Sequence, residues 1–199
     1  MTGRFVVFEG GEGCGKSTQA ARLADARGAV LTREPGGTAV GARIRDLVLG
    51  PNTASLDPRA EALLIAADRA QHVAEVVRPA LESGRDVVSD RYIGSSLAYQ
   101  GVARGLGVNE VRRISEWATG GLWPDVVVLL DVPEEEVAAR LAGSQPDRME
   151  AAGDEFHRAV VDGFRRLADA DDSWVVIDGV GSEDEVAARV LAAVQSHLS

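Results

Sequence analysis

A glycine-rich stretch near the start of the chain, GGEGCGKST (10–18), holds Lys16, the only lysine among 21 lysine and arginine residues. Gly10 to Ser17 fit the spacing G-x-x-x-x-G-K-[ST] of a phosphate-binding loop. In such a loop, backbone N–H groups turn inward around an anion, and the start of the following helix adds its positive dipole end. The stretch therefore predicts a site for the phosphates of a nucleotide.

Two side chains of this loop have predicted tasks. Lys16 would reach the β- and γ-phosphates, and the Ser17 hydroxyl would bind Mg²⁺. Our hypothesis is that a single lysine is retained because this site needs a compact ammonium rather than a planar guanidinium. The alternative is a glycine-rich turn that matches by accident, an event on the order of one in a hundred for a chain of this length. The strand before the loop and the helix after it make the accident rarer.

Other charged residues follow predicted strands or lie in a predicted helix. Asp90 and Arg91 come just past a strand end, where aspartate can hold Mg²⁺ through water and arginine can grip a phosphate with two hydrogen bonds. The same pair could equally be a helix-capping aspartate beside an exposed arginine. Arg33 lies at another strand end, and Arg69 lies inside a long helix, where a lone arginine usually faces solvent.

The elements that must position these residues alternate regularly along the chain. Buried Val/Ile/Leu-rich runs alternate with helical patterns, which predicts an α/β fold whose parallel sheet is covered on both faces. Ligands of such sheets bind at the carboxyl ends of the strands. The predicted strands span 4–10, 29–32, 86–89, 125–131 and 173–178; the predicted helices span 17–27, 39–49, 57–83, 93–103, 109–119, 134–142, 153–170 and 183–197.

Composition narrows the class of protein. A chain of 199 residues, 45% of them hydrophobic, predicts one domain. Its apolar runs fall short of the ~18–20 residues of a membrane span, and with no targeting segment recognised we expect a cytoplasmic protein. The single cysteine, Cys14, agrees with a reducing compartment. A net charge of −10 argues against nucleic-acid or anionic-membrane partners.

Six segments together resemble the successive signatures of bacterial thymidylate kinases: FEGGEGCGKST, TREPGGT, AADRAQHV, SDRYIGSSLAYQG, PDVVVLLDV and DRME. The phosphate loop is shared by many families, whereas the second and fourth segments are far more specific. The resemblance covers essentially the whole chain. It implies a three-layer P-loop NTPase fold with a five-stranded parallel sheet flanked by helices, a single kinase domain over 1–199 with a lid near 140–150, and a homodimer. It also implies transfer of the ATP γ-phosphate to dTMP with Mg²⁺, giving ADP and dTDP for dTTP synthesis.

The resemblance also assigns roles to residues at matching positions. Arg91 and Arg45 would grip the acceptor phosphate, Arg69 would donate to the thymine edge, and Tyr99 would pack under the deoxyribose. Arg104 could join the phosphate grip or face water. The implied ATP contacts are Gly10, Gly11, Glu12, Gly13, Cys14, Gly15, Lys16, Ser17, Thr18 and Arg140; the implied dTMP contacts are Glu9, Arg33, Arg45, Ile65, Arg69, Arg91, Ser96, Tyr99 and Gln100; the implied catalytic residues are Lys16, Arg91, Arg148 and Glu12; the implied Mg²⁺ ligands are Ser17 and Asp90.

Two departures from the family pattern bear on function. The lid has no arginine between Arg140 and Arg148, although relatives often carry one near Gly143. Arg148 is then the candidate lid catalyst, although an Asp147–Arg148 surface ion pair is an equal alternative. Ile65 stands where the family usually has phenylalanine, which removes a stacking contribution of about 1–3 kcal/mol. A kinase of another nucleoside monophosphate, or a nucleotide-binding regulator without catalysis, are the alternatives that these departures raise.

Overall fold

The centre of the protein is a sheet of five parallel strands, seen in a computed structural model that describes residues 2–50, 53, 55–142, 148–149 and 152–199. The strand order across the sheet is β2-β3-β1-β4-β5, and every neighbouring pair is parallel. The phosphate-loop strand is therefore central. The strands are β1 (Phe5–Glu9), β2 (Val30–Arg33), β3 (Val87–Asp90), β4 (Val126–Asp131) and β5 (Trp174–Asp178).

Helices connect successive strands and cover the sheet. Two of the helical stretches contain a π-helical segment, in which the backbone hydrogen bonds span one residue more than in an α-helix. The α-helices are α1 (Lys16–Arg27), α2 (Ala39–Leu49), α3 (Pro58–His72), α4 (Arg78–Glu82), α5 (Ile93–Ser96), α6 (Val108–Thr119), α7 (Glu134–Leu141), α8 (Asp154–Asp169) and α9 (Glu183–Leu198); the π-helical segments are Val73–Val77 and Leu97–Ala103.

Both faces of the sheet are buried, as the unalternated strands predict. Side chains of a strand point alternately to its two faces. In β1, Val6 and Phe8 pack in a core that includes side chains of α1 and α9, while Phe5 and Val7 pack in a second core with the Val73–Val77 segment. The predicted α/β architecture with five parallel strands between two helical layers is confirmed.

The long predicted helix over 57–83 differs from the structure in one respect. It forms α3, a π-helical segment and α4 in direct succession. Pro79 lies just inside α4, and a proline in an α-helix clashes with the carbonyl four residues before it and lacks an N–H donor. The wider π turn ahead of Pro79 accommodates that clash. The second π-helical segment replaces the end of the helix predicted over 93–103, and it carries Tyr99 and Gln100.

The register of the strands brings three sequence-distant residues to one edge of the sheet. Phe8 of β1 lies beside Asp90 of β3, and Arg33 of β2 lies beside Asp90 on its other side. Glu9, the last residue of β1, pairs with Leu129 of β4. The carboxyl ends of the strands therefore place the phosphate loop next to Asp90 and Arg91. Within the described ranges, no helix has the length and apolarity needed to cross a membrane.

Candidate active site

The phosphate loop runs tightly from β1 to α1. Gly13 and Gly15 adopt φ values of 66° and 92°, a region that glycine enters without steric cost. A Cβ atom at Gly10 would lie 2.8 Å from the carbonyl oxygen of Leu130, so the loop presses against β4 at that point. The close approach and the left-handed turns explain why the loop needs glycine at these positions.

Lys16 folds back into the loop. It is the first residue of α1 and is buried, and its Nζ donates to the carbonyl oxygen of Gly11 at 2.5 Å. Cys14 is also buried, with Sγ 3.5 Å from the Lys16 Nζ, and it packs in the core beneath the loop. The ammonium therefore lies within the loop, and the Cys14 side chain is directed into the core. Ser17 and Thr18, which follow Lys16, are exposed.

Ser17 and Asp90 meet at the start of α1. The Ser17 hydroxyl donates to Asp90 Oδ2 at 2.5 Å, while Asp90 Oδ1 is buried and has no hydrogen-bond partner within the described part of the chain. A hydroxyl beside a buried, unpartnered carboxylate oxygen is a fitting donor set for Mg²⁺, which prefers oxygen ligands and keeps several waters or phosphate oxygens. The described residues contain no group of three or more His, Cys, Asp or Glu arranged to hold a metal. The Ser17 hydroxyl and the Asp90 carboxylate fit Mg²⁺ through their oxygen atoms.

Arg91 turns back over the loop because its backbone is unusual. Its φ of 72° is the one left-handed non-glycine value among the described residues, a conformation that costs about 1–2 kcal/mol. The guanidinium then donates to the Gly10 carbonyl at 3.1 Å and to Ser95 Oγ at 3.0 Å through Nη1. Its Nη2 donates to Glu12 Oε1 at 2.5 Å. Arg91 thus bridges the phosphate loop and the elements that follow β3.

Glu12 carries a negative charge inside the phosphate loop. Burial alone would raise the pKa of this carboxyl, but the charges of Arg91 and Lys16 outweigh burial and lower the pKa to about 2. Tyr99 donates its hydroxyl to Glu12 at 3.1 Å, and its ring lies under the Arg91 guanidinium at 5.2 Å. Burial raises the pKa of Tyr99 above its ordinary value, so the phenol remains protonated at neutral pH. Glu12 therefore ties together two side chains that the resemblance places on the acceptor.

Glu9 is a fully buried carboxyl at the end of β1. It accepts hydrogen bonds from the backbone N–H groups of Tyr92 (3.0 Å) and Ser95 (2.9 Å), and from Ser95 Oγ (2.6 Å). Burial raises the pKa of Glu9 to about 7, although Ser95 and the charge of Arg91 oppose this. Since Ser95 also accepts from Arg91, Glu9 positions the turn that holds that guanidinium.

The pKa of Glu9 predicts a pH dependence of stability. A carboxyl whose pKa rises from 4.5 to about 7 on folding binds more protons in the folded state, so it lowers the free energy of unfolding as the pH rises through that window. We expect Glu9→Gln to remove this loss. The free energy of unfolding of the variant minus that of wild type should therefore be about 2–3 kcal/mol larger at pH 8 than at pH 5. Urea unfolding of the ligand-free proteins at both pH values measures the difference. An equal difference at both pH values would contradict the raised pKa.

Arg69 lies in the interior and not on a solvated face. Its side chain is 1% exposed, and it donates to Glu34 at 2.8 Å and to Ser96 Oγ at 3.0 Å. Glu34 also hydrogen-bonds His72 Nδ1 at 2.8 Å. The guanidinium is therefore held in one orientation between α3, the loop after β2 and α5, with Ser96 directly beside it.

The remaining acceptor candidates lie on the β2 side of the sheet edge. Arg45 donates to the Pro35 carbonyl at 3.0 Å, next to the glycines of the REPGGT loop. Arg33 is exposed and has no partner among the described residues. Ile65 is half-buried, one helical turn before Arg69. The structure therefore brings Arg45 and Ile65 to the same region as Arg69, with Arg33 at its rim.

Arg140, in α7, lies beside the phosphate loop. Its Nε donates to Glu136 at 3.0 Å and its Nη2 to the Gly179 carbonyl at 3.0 Å. Its Nη1 would be 4.0 Å from a Cβ atom at Gly15. A cavity of about 570 Å³ flanks the loop between β4, α7 and α8, within the size range of small-molecule sites. Arg140 thus borders the loop where the resemblance places the adenine of ATP.

Arg148 and Gln100 meet at a buried carboxylate, Glu61. Arg148 donates to Glu61 Oε2 at 2.5 Å and to the Val48 carbonyl at 2.6 Å. Gln100 donates to Glu61 Oε1 at 2.9 Å. The described contacts of Arg148 are thus with α2, α3 and Met149, and none is with the phosphate loop. Gly143 and Asp147, invoked for the lid, lie outside the described residues.

Comparison with known proteins decides the family. A sequence profile described as thymidylate kinase matches residues 8–190. The thymidylate kinase of Cutibacterium acnes is 49% identical, with both chains covered completely. That of Bifidobacterium longum is 50% identical over 96% of each chain, and that of Leifsonia xyli is 49% identical over 94% of this chain and 92% of its own.

The chain belongs to the thymidylate kinase family. This confirms the family predicted from the sequence motifs and the predicted enzyme class, a nucleotide-binding phosphotransferase. In this member of the thymidylate kinase family, the phosphate loop, Asp90 and Arg91 lie at one edge of the sheet. This arrangement agrees with the transfer of a phosphate group.

Three residues that contact the candidate site residues were not predicted from the sequence. Ser95 links Glu9 to Arg91, and Phe156 packs edge-to-face on Tyr99 with ring centroids 6.0 Å apart. Glu61 accepts hydrogen bonds from Gln100 and Arg148. Only Glu61 had a usable signal, because Glu61, Ile65 and Arg69 recur every four residues and therefore share a face of α3. The other two depend on contacts between elements that no local pattern encodes.

Proposed function

We propose that this protein transfers the γ-phosphate of ATP to dTMP. The observation that carries the proposal is the position of Arg91, which bridges the phosphate loop and the acceptor-side residues in a chain of the thymidylate kinase family. A guanidinium at that junction can neutralise charge on both phosphates as they approach each other.

The donor side is built from the loop and its neighbours. The backbone N–H groups of Gly10 to Ser17 and the start of α1 would bind the ATP phosphates, with Lys16 at the β- and γ-phosphates. Arg140 would lie over the adenine. Ser17 and Asp90 would hold Mg²⁺, which when bound supplies positive charge to the phosphate oxygens.

The acceptor side is built from α3 and the Leu97–Ala103 segment. Arg91 and Arg45 would bind the dTMP phosphate, and Arg69, oriented by Glu34, would donate to the thymine edge. Tyr99 would pack under the sugar and disfavour a ribose hydroxyl. Glu9, Ser96 and Gln100 would complete the pocket, with Arg33 at its rim.

The reaction follows from these charges. A phosphate dianion is already a nucleophile, so the transfer needs alignment and charge neutralisation rather than a base. Arginine and lysine side chains fixed by the protein supply that neutralisation without reorganising during the reaction. We also propose that the chain works as a single kinase domain, as a homodimer and in the cytoplasm; the family resemblance supports these three statements.

A coupled ADP-release assay tests the substrate. Wild-type protein is assayed with Mg-ATP and each of dTMP, dUMP, dCMP, dGMP, UMP and AMP. We expect turnover mainly with dTMP. Dominant turnover with another monophosphate would reassign the acceptor, and dTMP binding by calorimetry without turnover would indicate a nucleotide-binding regulator.

Ile65 gives a prediction about the thymine pocket. Ile65→Phe adds an aromatic face beside Arg69, and base–aromatic stacking is worth about 1–3 kcal/mol. We expect the dissociation constant of dTMP to fall about 5- to 150-fold, as measured by calorimetry. Leu63→Phe, on the exposed side of the same helix, is the matched control. Unchanged affinity in Ile65→Phe would show that position 65 does not contact the base.

A further inference from the structure

Glu61 is a buried carboxylate with cationic and amide donors around both oxygens. The residue is 0% exposed and lies in α3, two turns before Arg69. Gln100 donates to Oε1 at 2.9 Å, Arg104 donates to Oε1 and Oε2 at 3.3 Å each, and Arg148 donates to Oε2 at 2.5 Å. A buried carboxylate costs several kcal/mol of desolvation unless it is paired in this way, so its donors are strongly tied to it.

The partners of Glu61 come from two other parts of the chain. Gln100 and Arg104 belong to the Leu97–Ala103 π-helical segment and its end. Arg148 is also fixed to the carboxyl end of α2, because its Nε donates to the Val48 carbonyl at 2.6 Å. The next residue, Met149, is buried in a core that includes Tyr99. One carboxylate thus joins α3 to the segment that carries Tyr99 and to the pair Arg148 and Met149.

The charge of Glu61 is preserved by these contacts. Burial acts to raise its pKa, but the hydrogen bonds from Arg148, Gln100 and Arg104 outweigh burial and lower the pKa below its ordinary value. Arg104 also stacks over Phe156, with 4.5 Å from the guanidinium carbon to the ring centroid, and Phe156 contacts Tyr99. The cluster is therefore continuous with the wall of the sugar pocket.

We infer that Glu61 is a positioning residue that holds Arg148 against α3 and orients the Tyr99 segment through Gln100 and Arg104. Arg148 then acts through this anchor and is not a clamp on the transferring phosphate. The inference deepens the proposed function, and only its kinetic test rests on that function. It assigns to Glu61 a role in shaping the wall of the proposed dTMP pocket.

Steady-state kinetics distinguish an anchor from a clamp. Glu61→Gln, Arg148→Gln and the double variant are assayed with dTMP at saturating ATP. We expect each single change to raise the KM for dTMP about 10-fold or more, with a smaller change in kcat, because each removes a charged hydrogen bond of the pocket. The double variant should be no worse than the poorer single, since both changes break the same contact. A fall in kcat of about 10²-fold or more in Arg148→Gln alone, with unchanged KM, would show a phosphate clamp and overturn the inference.

Hydrogen exchange tests the anchor without any substrate. In the ligand-free protein we expect the amides of residues 148–149 and 152–156 to exchange about tenfold faster in Glu61→Gln and Arg148→Gln than in wild type. The matched control is the exposed pair Arg22 and Glu183, 3.4 Å apart, each changed to glutamine. Wild-type exchange in both anchor variants would overturn the inference whatever the enzyme's substrate proves to be.

Folding is checked in the same experiments. Glu61→Gln leaves Arg104 and Arg148 without their carboxylate, so each variant is first compared with wild type by circular dichroism. If Glu61→Gln does not fold, Arg148→Gln decides alone, because the Arg148 side chain is 17% exposed and its loss leaves Glu61 with Arg104 and Gln100. Faster exchange and a raised KM in that variant support the anchor, and their absence refutes it.

Discussion

Lys16→Ala is expected to lower kcat with Mg-ATP and dTMP by about 10³-fold or more, the scale of losing a charged group that stabilises a phosphoryl-transfer transition state. Lys16 is the only lysine, and its ammonium lies inside the phosphate loop with a hydrogen bond to the Gly11 carbonyl. Alanine removes that charge from the point where the β- and γ-phosphates would bind. The coupled ADP-release assay measures the loss.

Lys16→Arg is the matched control for charge. If the loop requires a compact ammonium, the planar guanidinium should restore less than about a tenth of the lost activity. Near-complete rescue would mean that charge alone suffices and would refute our hypothesis for the retained lysine. Turnover in Lys16→Ala within a few-fold of wild type would contradict the placement of the reaction at this loop.

Arg91→Gln is expected to lower kcat by about 10²–10³-fold, because this guanidinium lies between the proposed donor and acceptor sides and would neutralise charge that develops in the transition state. In the structure it contacts the Gly10 carbonyl, Ser95 and Glu12 at the same time. Glutamine has too few donors to keep all three contacts. Its loss also leaves Glu12 with Lys16 as its main opposing charge.

Two further variants make the Arg91 test specific. Arg91→Lys keeps the charge but not the fork of donors, so we expect only partial recovery. Arg22→Gln, in an exposed ion pair of α1, should retain wild-type turnover. Calorimetry with dTMP then separates binding from chemistry. A kcat for Arg91→Gln within threefold of wild type would remove Arg91 from the catalytic residues.

Several features of this protein follow from local patterns in its sequence. The phosphate loop lies within eight consecutive residues, Gly10 to Ser17, and its spacing reflects backbone geometry that any such loop must adopt. The parallel sheet follows from strands without alternation, because both of its faces are covered. Each prediction needed only neighbouring residues or short-range periodicity, and the strand order and buried cores agree with them.

Features that depend on long-range contacts were not predictable in this way. Arg69 appears in the sequence as a lone cation and Arg148 as a candidate partner of Asp147, whereas the carboxylates that they contact, Glu34 and Glu61, lie 35 and 87 positions away. The raised pKa of Glu9 comes from complete burial, which no spacing rule reports. Local pattern and family resemblance could nominate such residues, but not their partners.

The amino-acid sequence alone therefore determined the phosphate loop, the fold class and the family, since these rest on short-range spacing and on motifs carried along the chain. Only the tertiary structure decided which partners the charged residues contact. It placed Arg91 over the loop through a left-handed backbone, and it engaged Arg148 with Glu61 and Val48. The physical reason is that a buried charge is stable only beside a partner, and the fold chooses that partner from distant parts of the chain.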